Sequence, residues 1–265
     1  RPQVVAGFGG YAAFAPMLAA RLAGVPTVLH EQNAIAGMSN RILGRLARRI
    51  CLSLPGTEGF DASRTVLTGN PVRAAVVALA GRQHDFSGKR LLVMGGSLGA
   101  HALNVHVCRH LDALRAAGIE VRHQTGVRDE AVTREAYAAA GYDPACVSAF
   151  IDDMASAYAW ADLVLCRAGA TTVAELCAAG LPSVLVPFPY AVHDHQTRNA
   201  QALVAEGAAL MLPEARMESD GLMAQVTDLL QDTGRLRTMA AAASGCARVR
   251  AAELVAAELE TVCAR

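Results

Sequence analysis

The stretch from Asp162 to Pro187, DLVLCRAGATTVAELCAAGLPSVLVP, narrows the fold more than any other part of the chain. Leu163, Val164 and Leu165 form a short apolar run without polar alternation, the pattern of a strand covered on both faces of a parallel sheet. Gly169 permits a sharp turn, and Thr171 and Thr172 suit the N-cap of a helix that carries Glu175. Gly180 and Pro182 stop that helix, and Ser183 to Val186 reads as the next parallel strand. A helix start after a glycine turn offers free N–H groups and the positive end of a dipole, which suits a diphosphate. The segment therefore predicts a nucleotide-sugar site with Glu175 in its middle.

The same grammar occurs near the start, where Val4 and Val5 lead into Gly7, Gly9 and Gly10, an alanine-rich helix follows, and Gly24-Val25-Pro26 precedes Thr27 to Leu29. A third glycine-rich turn follows the strand Leu91 to Met94, where GGSLGA leads into a helix from His101. Two copies of a helix, G-x-P, strand unit predict an α/β protein with two Rossmann-like lobes. A chain of 265 residues, 53% hydrophobic and 18% charged, is long enough for two modest cores. The polar stretch Gly81 to Lys89 reads as the linker between lobes. The apolar window Val4 to Ala20 holds three glycines and Pro16, which fits strand, turn and helix better than a membrane span. Seven cysteines without a CxxC pair favour reduced thiols in a cytoplasm.

The net charge of zero hides an asymmetry, with eleven Lys+Arg against four Asp+Glu in residues 1–90 and thirteen against twenty in residues 91–265. A basic first lobe on a neutral protein points to a local anionic partner and away from nucleic acid. Arg41, Arg45, Arg48 and Arg49 share one face of a helix predicted over Met38 to Ile50, opposite Ile42, Leu43, Leu46 and Ile50. Two readings fit that face: a helix resting on anionic lipid, or an ordinary solvated surface.

Polar residues collect where parallel strands end, which is where open α/β sheets bind ligands. His30-Glu31-Gln32-Asn33 follows the strand from Thr27; Glu31 is a candidate general base or the residue that orients one, and Asn33 a candidate ligand for a sugar hydroxyl. Thr68-Gly69-Asn70-Pro71-Val72-Arg73 is a turn that projects Arg73 near the junction of the lobes, where a guanidinium suits a diphosphate. Ser97 adds a hydroxyl to the glycine turn at residues 95–100. Asp152 and Asp153 read as an N-cap and first-turn pair, and His193 with His195 lacks third and fourth ligands, so no metal site is expected.

Seven motifs in order, GFGGY (Gly7 to Tyr11), HEQN (His30 to Asn33), GNPVR (Gly69 to Arg73), GGSLGA (Gly95 to Ala100), FIDDM (Phe150 to Met154), RAGATTVAE (Arg167 to Glu175) and the loop ending in Gln196, resemble the MurG family. These are the UDP-N-acetylglucosamine:N-acetylmuramyl-(pentapeptide) pyrophosphoryl-undecaprenol N-acetylglucosamine transferases of peptidoglycan synthesis. The resemblance runs from Val4 to about Ala209. It implies a GT-B fold, with residues 1–72 belonging to the acceptor and membrane-side lobe and 73–265 to the donor lobe with its terminal helices. It also implies an inverting transfer, without metal or cofactor, from UDP-N-acetylglucosamine to the muramyl 4-hydroxyl of undecaprenyl-pyrophosphoryl-muramyl-pentapeptide (lipid I). The enzyme would work at the cytoplasmic face of the cell membrane, on an anionic surface. Carried over by position, Ser97 and Arg73 would meet the diphosphate and Ile151 the uracil. Ala170, Thr171, Thr172, Val173, Ala174 and Glu175 would hold the rest of the UDP, with Glu175 on the ribose hydroxyls. Asn33 and Gln196 would hold the N-acetylglucosamine, and Glu31 is the base-side candidate.

The sequence departs from the family at its start, where it has neither an initiator methionine nor the glycine-rich GGTGGH segment. The expectation is a first lobe that is incomplete, with UDP binding but no turnover by these 265 residues alone. Two alternatives keep the same pocket: another GT-B enzyme, such as a UDP-N-acetylglucosamine epimerase or a glycolipid glycosyltransferase, and a non-catalytic UDP-sugar-binding subunit of a split enzyme.

Overall fold

The computed structural model describes residues 2–96 and 99–264. The chain opens with β1 (Val5–Gly7), α1 (Gly10–Leu22), β2 (Thr27–Glu31), α2 (Met38–Leu46), β3 (Arg49–Leu52) and β4 (Thr65–Leu67). The four strands form a parallel sheet in sequential order, with Val5 beside Thr27, Val28 beside Arg49 and Ile50 beside Thr65. Leu29, Ile50 and Leu52 face α1 and α2, packing on Met17, Leu43 and Ala47.

The second lobe continues through α3 (Ala74–Val77), β5 (Arg90–Met94), α4 (His101–Cys108), α5 (Leu111–Ala116), β6 (Glu120–Gln124), α6 (Glu130–Ala139), β7 (Val147–Ser148) and α7 (Met154–Trp160). It closes with β8 (Leu163–Cys166), α8 (Ala170–Ala179), β9 (Ser183–Leu185), α9 (His195–Ala205), β10 (Ala209–Met211), α10 (Leu222–Gln231), α11 (Thr233–Cys246) and α12 (Ala251–Cys263). Its six parallel strands lie in the order β10-β9-β8-β5-β6-β7. Side chains alternate across the sheet: Leu91, Val93, Leu163 and Leu165 enter one core, and Leu92, Met94, Val164 and Cys166 the other. Strands covered on both faces explain the unbroken apolar runs of β5 and β8. The α/β fold with two Rossmann-like sheets is thus as expected, and all seven cysteines are free thiols.

Four local expectations change. The helix from Met38 ends at Leu46, because Ala47 is extended and Arg49 already opens β3. Arg48 and Arg49 therefore leave the helical face, and Arg49 instead pairs with Glu258 of α12 at 2.7 Å. Strand β2 runs to Glu31, two residues beyond the expected end, so His30 and Glu31 lie buried within the sheet. Residues 81–89 are not the linker: α3 already packs on α7 and α8, and Phe86 is buried in the second lobe's core. The last strand of the first sheet ends at Leu67, and α3, from Ala74, is the next helix and packs on α7 and α8.

The last helix returns to the first lobe. Val255 and Val262 of α12 pack on Val28 and Cys51, covering the sheet face that α1 and α2 leave open. Burying each valine contributes roughly 1.5–3 kcal/mol. Leu254 is exposed; the buried stripe is Ala251, Val255 and Val262. No helix among the described residues is long and apolar enough to cross a membrane.

Candidate active site

The order of the second sheet reverses between β5 and β8, and such a switch point opens a crevice beyond the carboxyl ends of the two strands. A cavity of roughly 410 Å³ lies there, bounded by Met94 and Gly96 after β5, Cys166 and Arg167 after β8, and the N-terminal turns of α8. Arg73 and Pro71 from the interlobe crossing close one side, and Phe150, Ile151 and Met154 another.

Glu175 is 5% exposed, and its carboxylate faces this cavity. Tyr158 of α7 donates its hydroxyl to Oε2 at 2.9 Å, and Arg73 donates Nη2 and Nε to Oε1 at 2.9 and 3.2 Å. A buried carboxylate needs such charge-assisted donors to remain ionised without a large desolvation cost. Burial and the neighbouring Glu175 charge push the Tyr158 phenol far above its ordinary range, so it acts as a fixed donor.

The N-cap of α8 is Gly169, not a threonine, and it makes no side-chain cap. Thr171 and Thr172 consequently sit in the first turn, with both residues lining the cavity. Helical periodicity divides the expected nucleotide segment in two. Thr171, Thr172 and Glu175 face the cavity, whereas Ala170, Val173 and Ala174 face a second space of roughly 180 Å³ between the lobes, bordered by Gln32, Asn70 and Cys177.

The expected sugar ligands gather around one peptide, that of Ala168. Gln196 of α9 accepts the Ala168 N–H at 3.2 Å and the Phe188 N–H at 2.9 Å through Oε1. One helical turn on, Asn199 donates Nδ2 to the Ala168 carbonyl at 3.1 Å and to Asn33 Oδ1 at 3.1 Å, and accepts the Ala34 N–H at 2.9 Å. Asn33 and Gln196, from opposite lobes, are thereby brought to the same place beside the start of α8.

Glu31 lies just behind. Its Oε1 accepts from the Asn33 N–H at 2.9 Å and Asn33 Nδ2 at 3.3 Å, and its Oε2 from Asn40 Nδ2 at 2.8 Å and the Gly37 N–H at 3.2 Å. Both oxygens of this buried carboxylate are committed to the loop that presents Asn33. Neighbouring His30 binds the Gly69 carbonyl through Nε2 at 3.0 Å, and burial lowers its pKa.

Ile151, expected at the uracil, borders the cavity, and Ser97 lies outside the described residues. Asp153 is the N-cap of α7, accepting the Ser156 N–H at 3.0 Å. His195 Nδ1 bonds to the Val192 carbonyl at 2.8 Å, and His193 and His195 join no ligand cluster among the described residues. Three site residues were not foreseen. Tyr158 looks like helix packing in the sequence, Gln124 ties the turn after β5 to β7 through Gly96 and Ala149, and Asn199 betrays itself only by standing three residues after Gln196 on α9.

Residues 90–255 match the glycosyltransferase family 28 C-terminal domain, and residues 1–52 match the family 28 N-terminal domain. A relative in Nitratidesulfovibrio vulgaris, named UDP-N-acetylglucosamine--N-acetylmuramyl-(pentapeptide) pyrophosphoryl-undecaprenol N-acetylglucosamine transferase, is 54% identical over 258 residues, covering 96% of this chain and 71% of its own. The crystal structure of Acinetobacter baumannii MurG is 39% identical with a TM-score of 0.79, over 98% of this chain and 74% of that one. A UDP-GlcNAc 2-epimerase from Neisseria meningitidis, crystallised with UDP-GlcNAc, superposes with a TM-score of 0.71 over 98% of this chain and 76% of that one. Its identity of 13% makes this a likeness of fold alone.

Proposed function

This chain belongs to glycosyltransferase family 28, and from that membership we propose that it transfers N-acetylglucosamine from UDP-N-acetylglucosamine to the muramyl 4-hydroxyl of lipid I, forming lipid II for peptidoglycan synthesis. The observation that carries this reading is the pairing of Glu175 and Arg73 at the first turns of α8, inside a GT-B cleft. A carboxylate that only accepts hydrogen bonds suits the two ribose hydroxyls, and the uncapped N-terminus of α8 suits the diphosphate. Arg73 turns from Glu175 towards the phosphates as the donor enters, its half-exposed side chain exchanging one anionic partner for another. Ile151 and Phe150 border the uracil.

The sugar rests against Asn33, Gln196 and Asn199. The acceptor hydroxyl attacks the anomeric carbon from the first-lobe side, inverting it, and the departing UDP charge spreads onto Arg73 and the helix terminus. Glu31 serves this step as a positioning residue that fixes Asn33, because both of its oxygens are already occupied. We divide the chain at Val72 and Arg73, with residues 1–72 on the acceptor side and 73–265 on the donor side, α12 returning to the first.

A lipid-linked acceptor places the work at the cytoplasmic face of the membrane, as a peripheral protein. The basic first lobe supports this, with Arg41 and Arg45 on α2 beside the exposed Met38, Ile42 and Leu46. Roles in cell shape and division follow from the cell-wall product. The test is release of UDP from UDP-N-acetylglucosamine with and without lipid I, alongside transfer of labelled sugar to the lipid. Release that ignores the acceptor would overturn the transferase reading; co-sedimentation with anionic but not zwitterionic vesicles tests the membrane surface.

A further inference from the structure

We propose that His106, His110 and Glu218 form a binding site for one divalent transition-metal ion of the zinc class, on the second lobe and outside the donor cavity. His106 lies near the end of α4, and His110 follows one helical turn later, so their rings stand 4.6 Å apart between centroids. Glu218 comes from the segment between β10 and α10. One ligand-capable atom of each residue lies within 4.8 Å of the other two.

Three features favour a cation over a plain polar cluster. The His110 Nδ1 is 2.8 Å from the His106 carbonyl, which can only accept, so Nδ1 carries the proton and Nε2 keeps a free lone pair. Fixing a ligating histidine through its other nitrogen on a carbonyl is the usual outer support of a metal site. His106 is 5% exposed, and its Nε2 has no partner, so no hydrogen bond fixes the tautomer and Nδ1 is left with a lone pair to offer towards Glu218. Its Nδ1 stands 3.4 Å from Glu218 Oε2, too far for a strong hydrogen bond. Two ligands of a tetrahedral ion with bonds of about 2.1 Å are separated by roughly 3.3–3.5 Å.

Two imidazoles and one carboxylate suit zinc, cobalt or nickel and not magnesium or calcium, with water completing the shell. Arg109 opposes the cation and weakens affinity relative to a closed structural site. The ion would pin the segment before α10 to α4. The same segment carries Glu214, which pairs with Arg167 on the wall of the donor cavity, so the ion would buttress that wall from behind.

Titration of the untagged protein with zinc by calorimetry, and with cobalt by visible absorption, tests this. One zinc per chain is expected, with a raised melting temperature, tetrahedral cobalt bands and no response to magnesium. His110→Ala and Glu218→Gln, both near the surface, should each weaken binding on the order of tenfold or more while the fold persists. Because the adjoining thiols of Cys177 and Cys246 also attract zinc, the titration is repeated in Cys246→Ser. Absence of saturable binding, binding undiminished in His110→Ala, or binding lost in Cys246→Ser overturns the proposal.

Discussion

Arg73 grips Glu175 by a single carboxylate oxygen, while Tyr158 holds the other, so the acid expected to meet the ribose is held by donors from two sides. The two donors are not equivalent. Arg73 is half exposed and screened by solvent, whereas Tyr158 is buried beneath the carboxylate.

That difference separates binding from stability. Glu175→Gln removes the charge but keeps the shape, and should weaken UDP binding by about tenfold or more with little loss of stability, because the Arg73 left without its partner is half exposed and water replaces the lost contact. Tyr158→Phe strips a buried carboxylate of one donor and should lower stability by about 1.5–3 kcal/mol. Calorimetric UDP titrations and urea unfolding of both variants check this; equal stability losses would refute the assignment.

Asn199 is fully buried and ties the two lobes, donating to Asn33 and accepting from Ala34. Asn199→Ala leaves those groups and the Ala168 carbonyl unpaired, at a cost of about 1–3 kcal/mol. It should also loosen the cleft, seen as a larger radius of gyration by X-ray scattering and faster proteolysis at residues 68–73. Unchanged scattering and cleavage would mean the contact does not restrain the lobes.

What the sequence made legible, and what it hid, divides along short-range and long-range lines. Helix α8 could be read because Gly169, Gly180 and Pro182 punctuate it within a few residues. The helix from Met38 was overextended because Ile50 fits a helical stripe as well as it fits the buried strand it occupies, and only pairing with β2 decides. Likewise Ala170 to Glu175 reads as one binding segment until the helix turns its two faces towards two different spaces. Tyr158, Asn199 and the docking of α12 on β2 and β3 depend on contacts remote in sequence, which leave no local pattern.

The interlobe crossing gives a third test. Gly69 has φ +84°, and a Cβ there would lie 2.3 Å from the Cβ of Arg248, in the segment that leads into α12. Gly56 has a similar φ of +74° but open space around it. Gly56→Ala should therefore cost only the left-handed strain, about 1–2 kcal/mol. Gly69→Ala adds a backbone shift that pushes α12 off the first sheet, so its melting temperature should fall distinctly further. Equal losses in the two variants would argue that α12 does not hold the lobes together here.

Acid should destabilise the second lobe through His123. This ring is completely buried; Nε2 donates to Asn104 Oδ1 at 3.0 Å, and Nδ1 accepts from the Tyr137 hydroxyl at 3.0 Å. Asn104 passes the network to Asp129 at 2.8 Å. Neutral imidazole satisfies every partner, and burial pulls its pKa down from 6.5 to about 3. Between those values the unfolded chain binds a proton that the folded chain refuses, so stability is full above the unfolded value and falls with falling pH. The slope approaches about 1.4 kcal/mol per pH unit, which amounts to about 2.5 kcal/mol between pH 6.5 and 4.5. Urea unfolding at several pH values should show this loss in the parent, and His123→Gln, which cannot take up the proton, should lose less by that amount. Parallel curves for the two proteins would mean that His123 titrates normally or that other groups carry the acid sensitivity.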